Sequence, residues 1–319
     1  MSPVIAADNR KSGRRELLMF VGMALALASL PLTSVYLFFA MQALCLAIFA
    51  CAFNLLVGYG GLLSFGHAMF LGTAGYVSAH ALKVWQFPPE LGIAVGTAAA
   101  AALAATTGYI AIRRQGIYFS MITLALAQLF YFAYLRAPFT HGEDGIQKIP
   151  RGNLFAVINL ADTTTLYYTV LAGFLGVFLL IYRIVNSPFG EVLKSIRENE
   201  QRAVSLGYIT DSYKLIVFIL SGTLAGFAGS LKVIVTQNAS LSDVHWATSG
   251  DVVLMTLLGG VGTLFGPVVG AIALVAMQQY LAGFGQWVTI IQGGIFIVCV
   301  LVFRRGIVGE IAHRSRADG

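Results

Sequence analysis

The chain has 319 residues, 58% of them hydrophobic and only 11% charged, with a formal net charge of +6 at pH 7. Soluble domains carry roughly 25% charged residues, so this composition excludes a surface that faces water over most of its area, and lipid is the expected solvent. The positive balance does not point to nucleic acid, because the basic residues cluster at the ends of apolar runs, the positive-inside pattern of a membrane protein.

In lipid every backbone amide must be paired internally, which leaves helices or closed barrels. Barrel strands alternate apolar and polar residues, whereas this chain has unbroken apolar runs such as 91–112, near the ~20 residues a spanning helix needs. The expected fold is all-α: a polytopic integral membrane protein with about ten segments, some short or broken, and both termini cytoplasmic.

Along the chain, a tail at 1–16 carries Arg10, Lys11, Arg14 and Arg15 and precedes an apolar run at 17–32. That order is shared with a cleaved secretory signal, but a second run starts soon after Pro31, and an uncleaved first helix is expected. Further runs lie at 35–57, 61–82, 90–112 and 116–136, then, after a polar stretch at 137–164, at 165–183, 213–237, 249–262, 263–282 and 286–303, with a tail at 304–319. Alternation from a cytoplasmic N-terminus puts Arg113, Arg114, the 183–214 segment, Arg304, Arg305, Arg314 and Arg316 inside. It puts 137–164 outside, where Lys148 and Arg151 run mildly against the rule. Trp85 and Trp287, near span ends, read as interfacial anchors.

The stretch 249–282 is interrupted by Gly259, Gly260, Gly262, Gly266 and Pro267 and reads as two short, broken segments. Gly60, Phe65 and Gly66 recur 200 positions later as Gly260, Phe265 and Gly266. Paired glycine-broken segments can mark an internal repeat and a solute site. Small residues also serve plain close packing of membrane helices, and both readings stand at this point.

No G-x-x-x-x-G-K-[ST] phosphate loop, no metal-ligand spacing and no nucleophile–base constellation is present in the sequence, so no enzyme activity, metal or cofactor is expected in this chain. Cys45, Cys51 and Cys299 fall in apolar runs and read as small hydrophobes. Glu90, Glu143, Asp144, Asp162, Asp211, Asp243 and Asp251 lie in loops or at span ends. Neither a proton relay nor a fixed intramembrane charge is therefore expected. Weak candidates for a solute path are Ser64, Gly66, His67, Tyr118, Gln128, Thr256 and Gly266. In the outer stretch, Glu143, Asp144 and Lys148 form a charged surface suited to a protein contact.

The longest cytoplasmic segment, 189–207, is amphipathic: Val192, Leu193, Ile196, Ala203, Val204 and Leu206 are apolar, and Glu191, Lys194, Arg197, Glu198, Glu200 and Arg202 are charged. Pro188 suits its start and Gly207 its end. On residues alone it is equally a surface helix or a docking helix for a partner.

SIRENEQRAVSLGY at 195–208, Tyr213 and Lys214, and SGTLAGFAGSL at 221–231 resemble the permeases of branched-chain amino acid ABC importers, and within these the M-type subunit of the Liv system. GYGGLLSFGHAMFLGTAGY at 58–76, GIYFSMITLALAQ at 116–128, THGEDGIQKIP at 140–150 and LLGGVGTLFGPVVGA at 257–271 carry the same resemblance. It implies a bacterial inner-membrane subunit paired with a second permease of the H type. It also implies two ATPase subunits that use ATP, an extracytoplasmic binding protein, and a branched-chain amino acid or a related amide, urea, aromatic or dicarboxylic acid as solute. It further implies that the cytoplasmic helix docks on the ATPases, with Leu193, Ile196, Arg197, Glu198, Glu200, Arg202 and Gly207 as the coupling residues. The importer motif E-A-A-x-x-x-G is met here by Gln201, Arg202, Ala203 and Gly207, its acidic position shifted to Glu200. The competing function is a self-sufficient secondary carrier or channel, which broken helices also permit.

Overall fold

The fold was obtained as a computed structural model, which describes residues 19–32, 36–155, 157–302 and 306–310. The basic cluster at 10–15 and Arg304, Arg305, Arg314 and Arg316 lie outside the described residues.

The helices, in chain order, are α1 Met19–Ala28, α2 Leu37–Asn54 with a π-helical extension Leu55–Tyr59, α3 His67–Lys83, α4 Pro89–Ala111 and α5 Ile117–Arg136. They continue as α6 Thr163–Val185, α7 Pro188–Glu198, α8 Glu200–Ser205, α9 Thr210–Thr236, α10 Trp246–Gly259, α11 Gly266–Leu281 and α12 Val288–Val302. Among the described residues, five stretches are long and apolar enough to cross a membrane: Leu37–Tyr59, α4, α5, α6 and α9.

Burial separates the centre from the rim. The stretch Leu37–Tyr59 is apolar on all sides and 83% buried, whereas α5 is only 22% buried. A helix hydrophobic all round belongs in a core, and α2 packs against α6, α9, α10 and α11. Helices α3, α4 and α9 form the other half of the bundle. There α4 and α9 meet along two rows of small residues: a Cβ on Gly222 would lie 2.6 Å from Ala104 Cβ, and one on Gly226 2.2 Å from Ala100 Cβ. Without a hydrophobic drive between helices in lipid, such backbone approach is what gains dispersion energy.

At the end of the bundle opposite α7–α8, residues 137–162 form a structured cap rather than an open loop. Strand β1 (Ile146–Gln147) pairs antiparallel with β4 (Asn238–Ala239), and β2 (Asn153–Leu154) pairs with β3 (Ile158–Asn159). Lys83 Nζ donates to the Gln147 carbonyl at 2.8 Å, and Arg151 Nη2 to that of Val235 at 3.1 Å. Lys148 and Arg151, which opposed the charge rule, are thus a loop surface residue and a cation that caps the C-terminal end of α9.

Candidate functional site

Two interruptions lie between paired helices: residues 60–66 between α2 and α3, and residues 260–265 between α10 and α11. Each frees backbone polar groups that lipid cannot satisfy, and the sequence supplies nearby hydroxyls for them. In the first break, Thr123 Oγ1 accepts from Phe65 N at 3.2 Å, Ser64 Oγ accepts from Gly66 N at 3.2 Å, and Ser120 Oγ donates to the Leu63 carbonyl at 2.6 Å. In the second, Thr263 Oγ1 donates to the Gly260 carbonyl at 2.7 Å and accepts from Gly266 N at 3.1 Å.

The two breaks meet. Asn54, buried at the end of α2, donates through Nδ2 to the Thr263 carbonyl and accepts through Oδ1 from Gly262 N, both at 2.9 Å. A Cβ on Gly58 would lie 2.7 Å from Gly262 N, so the π-helical end of α2 and the second break are in backbone contact.

Beneath them runs α7–α8. Ser187 and Asn199 cap the two helices by accepting from Gly190 N and Arg202 N. The extended backbone at Asn199 (φ −156°, ψ 97°) divides the segment in two. Leu193 and Ile196 are 1% and 3% exposed and Ala203 is buried as well, all turned toward the membrane helices. Arg197 Nη1 donates to the Gly58 carbonyl. Glu200 accepts from Lys214 on α9 and, at 3.1 Å, from Gln115 Nε2 between α4 and α5. Of the seven expected coupling residues, Leu193 and Ile196 are buried against the membrane helices and Glu200 is half-buried, while Arg197 is exposed along its side chain yet reaches the Gly58 carbonyl. Glu198 and Arg202 remain on the outward surface, as does Gly207, which turns the chain toward α9 at φ +90°. Apolar groups left exposed beside them are Val204, Leu206 (69%), Tyr208 and Ile209 (71%).

The expected path residues do not come together. Ser64, His67 and Thr256 are 0% exposed, and Gly66 and Gly266 are buried. His67 is ringed by Phe53, Phe70 and Phe218. Its Nε2 is 2.8 Å from Ser221 Oγ, whose own proton goes to the Ala52 carbonyl at 2.5 Å. His67 Nε2–H is thus the donor, and the chain of bonds ties α3, α9 and α2. Thr256 spends its hydroxyl on the Val252 carbonyl at 2.8 Å. Only Tyr118, 67% exposed, and half-buried Gln128 keep an open side, both on α5. At the cap, Glu143, Asp144 and Lys148 are all exposed. Lys148 also borders an open groove of about 1050 Å³ shared with Glu90 and Phe155.

Sequence reasoning missed Asn54 and also Lys232. Lys232, near the C-terminal end of α9, pairs with Asp243 at 2.5 Å, their side chains 21% and 14% exposed. Asp251 on α10 lies within electrostatic reach of the same lysine. A cation late in the 213–237 run, with acids shortly after it, was the available signal. Replacing Lys232 by Met strands Asp243 without its partner, and removal of one member of a largely buried pair costs about 3 kcal/mol. The thermal midpoint of the purified chain is expected to fall by several degrees, and Lys232→Met with Asp243→Leu to recover most of it; an unchanged midpoint in the single variant contradicts this.

Among known proteins, residues 35–301 match the family model described as branched-chain amino acid transport system / permease component. The high-affinity branched-chain amino acid transport system permease protein LivM of Salmonella typhimurium is 25% identical over 282 residues, 80% of this chain and 65% of that protein. LivM of Escherichia coli K12 is 26% identical over the same extent. The autoinducer 2 import system permease protein LsrC of Photorhabdus laumondii is 28% identical over 134 residues, 40% of each chain. The chain spans slightly less than two thirds of the length of these LivM relatives, and no solved structure matches it.

Proposed function

The chain belongs to the branched-chain amino acid transport system permease family, and from that premise we propose that it is one membrane-spanning subunit of an ATP-binding cassette importer. It works with a second, homologous permease, two ATPase subunits and an extracytoplasmic binding protein in a bacterial inner membrane. The solute is a branched-chain amino acid or a related small molecule. The observation that carries this reading is the position of α7–α8. The segment is seated by Leu193 and Ile196 under the junction of both breaks, while Val204, Leu206, Tyr208 and Ile209 are left uncovered. A short element held on one side and apolar on the other suits the transfer of an external partner's motion to the membrane helices. ATP is bound and hydrolysed by the partners.

The solute path in this reading runs along the open face of α5, past Tyr118 and Gln128, against the second permease. Ten membrane segments with both termini cytoplasmic place α7–α8 inside and the cap at 137–162 outside. The test is uptake into proteoliposomes holding the chain with and without its ATPase and second permease: accumulation only with the full set and ATP supports the proposal, and accumulation by the chain alone makes it a secondary carrier.

The exposed acids of the cap give a second expected outcome. Reversing Glu143 and Asp144 to Lys is expected to weaken binding-protein docking several-fold at low salt, with the difference fading as ionic strength rises, since exposed charges are screened beyond ~10 Å at 0.1 M. Equal docking of wild type and variant at low salt counts against this contact.

A further inference from the structure

We infer that Arg197 and Asn54 form a latch through which α7 holds both breaks at once, so that a displacement of α7 moves them together. This rests on α7–α8 being the coupling segment, but its geometry is internal to this chain. The Arg197 guanidinium donates to the carbonyl of Gly58, in the π-helical end of α2 where the regular helical ladder is lost. Its aliphatic stem runs along the first break: a Cβ on Gly61 would lie 3.0 Å from Arg197 Cγ. Its head lies against the second break, where a Cβ on Gly262 would be 3.2 Å from Arg197 Nη1. One side chain of α7 therefore touches residues 58 and 61 on one side and residue 262 on the other.

Asn54 closes the arrangement from the membrane side by its paired bonds to residues 262 and 263. The second break is thus bound to α2 by an amide and lies against the α7 guanidinium, while the first is lined by the stem of the same arginine, whose head is bonded to the end of α2. Both points of attachment are hinge-like, with Gly61 at φ +70° and Gly262 at φ +77°, conformations that only glycine adopts freely. Ile196, buried next to Arg197 in the chain, fixes the depth of the arginine. Among the described residues Arg197 forms no ion pair, so its charge is directed at backbone. The planar, multi-donor head suits this task, because a lysine places a point charge at one carbonyl and leaves the second break untouched.

The test uses spin-label pairs in the isolated full chain in nanodiscs, one label at Glu198→Cys on α7 and the other at Leu63→Cys or Leu264→Cys in the two breaks. Both distance distributions are expected to be narrow with Arg197 present, and both to broaden in Arg197→Gln. In Asn54→Leu only the pair reaching Leu264→Cys should broaden. Should Arg197→Gln fail to accumulate, Arg197→Lys takes its place and should broaden the Leu264→Cys pair alone. Distributions unchanged by loss of the guanidinium overturn the latch. In the assembled complex, solute taken up per ATP hydrolysed is further expected to fall about tenfold in Arg197→Gln. Unchanged stoichiometry there overturns it as a device of coupling. If the chain turned out to need no ATPase, the isolated-chain distances would still decide whether the latch exists.

Discussion

Gly259→Val is expected to leave almost no folded chain in the membrane. A Cβ at Gly259 would lie 1.8 Å from the Gly266 carbonyl oxygen, and one at Gly270 1.8 Å from that of Met255. These are backbone atoms of the facing helix, so no rotamer change relieves them, and α10 and α11 can accept the side chain only by separating. Ordinary overpacking costs roughly 1–3 kcal/mol; forcing two helix backbones apart exceeds that and removes the seat of α11 on α2. Gly66 and Gly266 also face backbone, since their Cβ positions lie 2.6 Å from the Thr123 carbonyl oxygen and 2.8 Å from the Gly259 and Gly260 carbonyl oxygens. Close approach was expected at both from the sequence, and both are in close contact with neighbouring backbone. Gly176 and Gly250 are the controls: nothing lies within 4 Å of a Cβ at either, and Ala there gains up to ~1 kcal/mol of helix propensity. Detergent-extracted yield and monodispersity on size exclusion distinguish the two groups. Wild-type yield and a single peak for Gly259→Val would contradict the crossing.

The long helices were legible because their signal is local. Twenty or so consecutive apolar residues admit one solution in lipid, so α4, α5, α6 and α9 fall close to the expected runs at 90–112, 116–136, 165–183 and 213–237. The breaks were legible for a similar reason, glycine clusters inside apolar sequence. Their meeting was not. It depends on Asn54 bonding to residues 208 and 209 positions away, and a lone amide at the end of an apolar run does not say which of several breaks it serves. His67 was legible by its polarity, and its partners were not: three aromatic rings and Ser221 surround it within the core.

The segment 189–207 is divided by one cap that its sequence pattern does not announce. Taken as a single amphipathic stretch, 189–207 presents Leu193, Ile196, Val204 and Leu206 as one apolar face. Asn199 ends α7 in an extended conformation and starts α8 by accepting from Arg202 N, so the second helix is rotated against the first. Leu193 and Ile196 are turned to the bundle, while Val204 and Leu206 point away from it.

That division separates two variants that a single amphipathic helix would make equivalent. Leu206→Asp with Ile209→Asp is expected to leave the chain folded, because both side chains are about 70% exposed. ATPase association should nevertheless be lost. Apolar anchors in an interface contribute ~2 kcal/mol or more at hot spots, and every 1.4 kcal/mol is tenfold in affinity, so the pair together weakens association by at least ~30-fold. Leu193→Asp with Ile196→Asp instead places two carboxylates where almost no surface is accessible. An unpaired charge in such a site is costly enough to displace α7, which takes Arg197 away from Gly58 and lowers the thermal midpoint of the isolated chain. The measurements are pull-down of the ATPase subunits and the melting curve of the chain without partners. The first pair should lose pull-down with an unchanged melting curve, and the second should shift the curve before any partner is added. If the buried pair melts like wild type, α7 is not seated through these residues; if the exposed pair retains full association, the ATPases bind elsewhere on the cytoplasmic face.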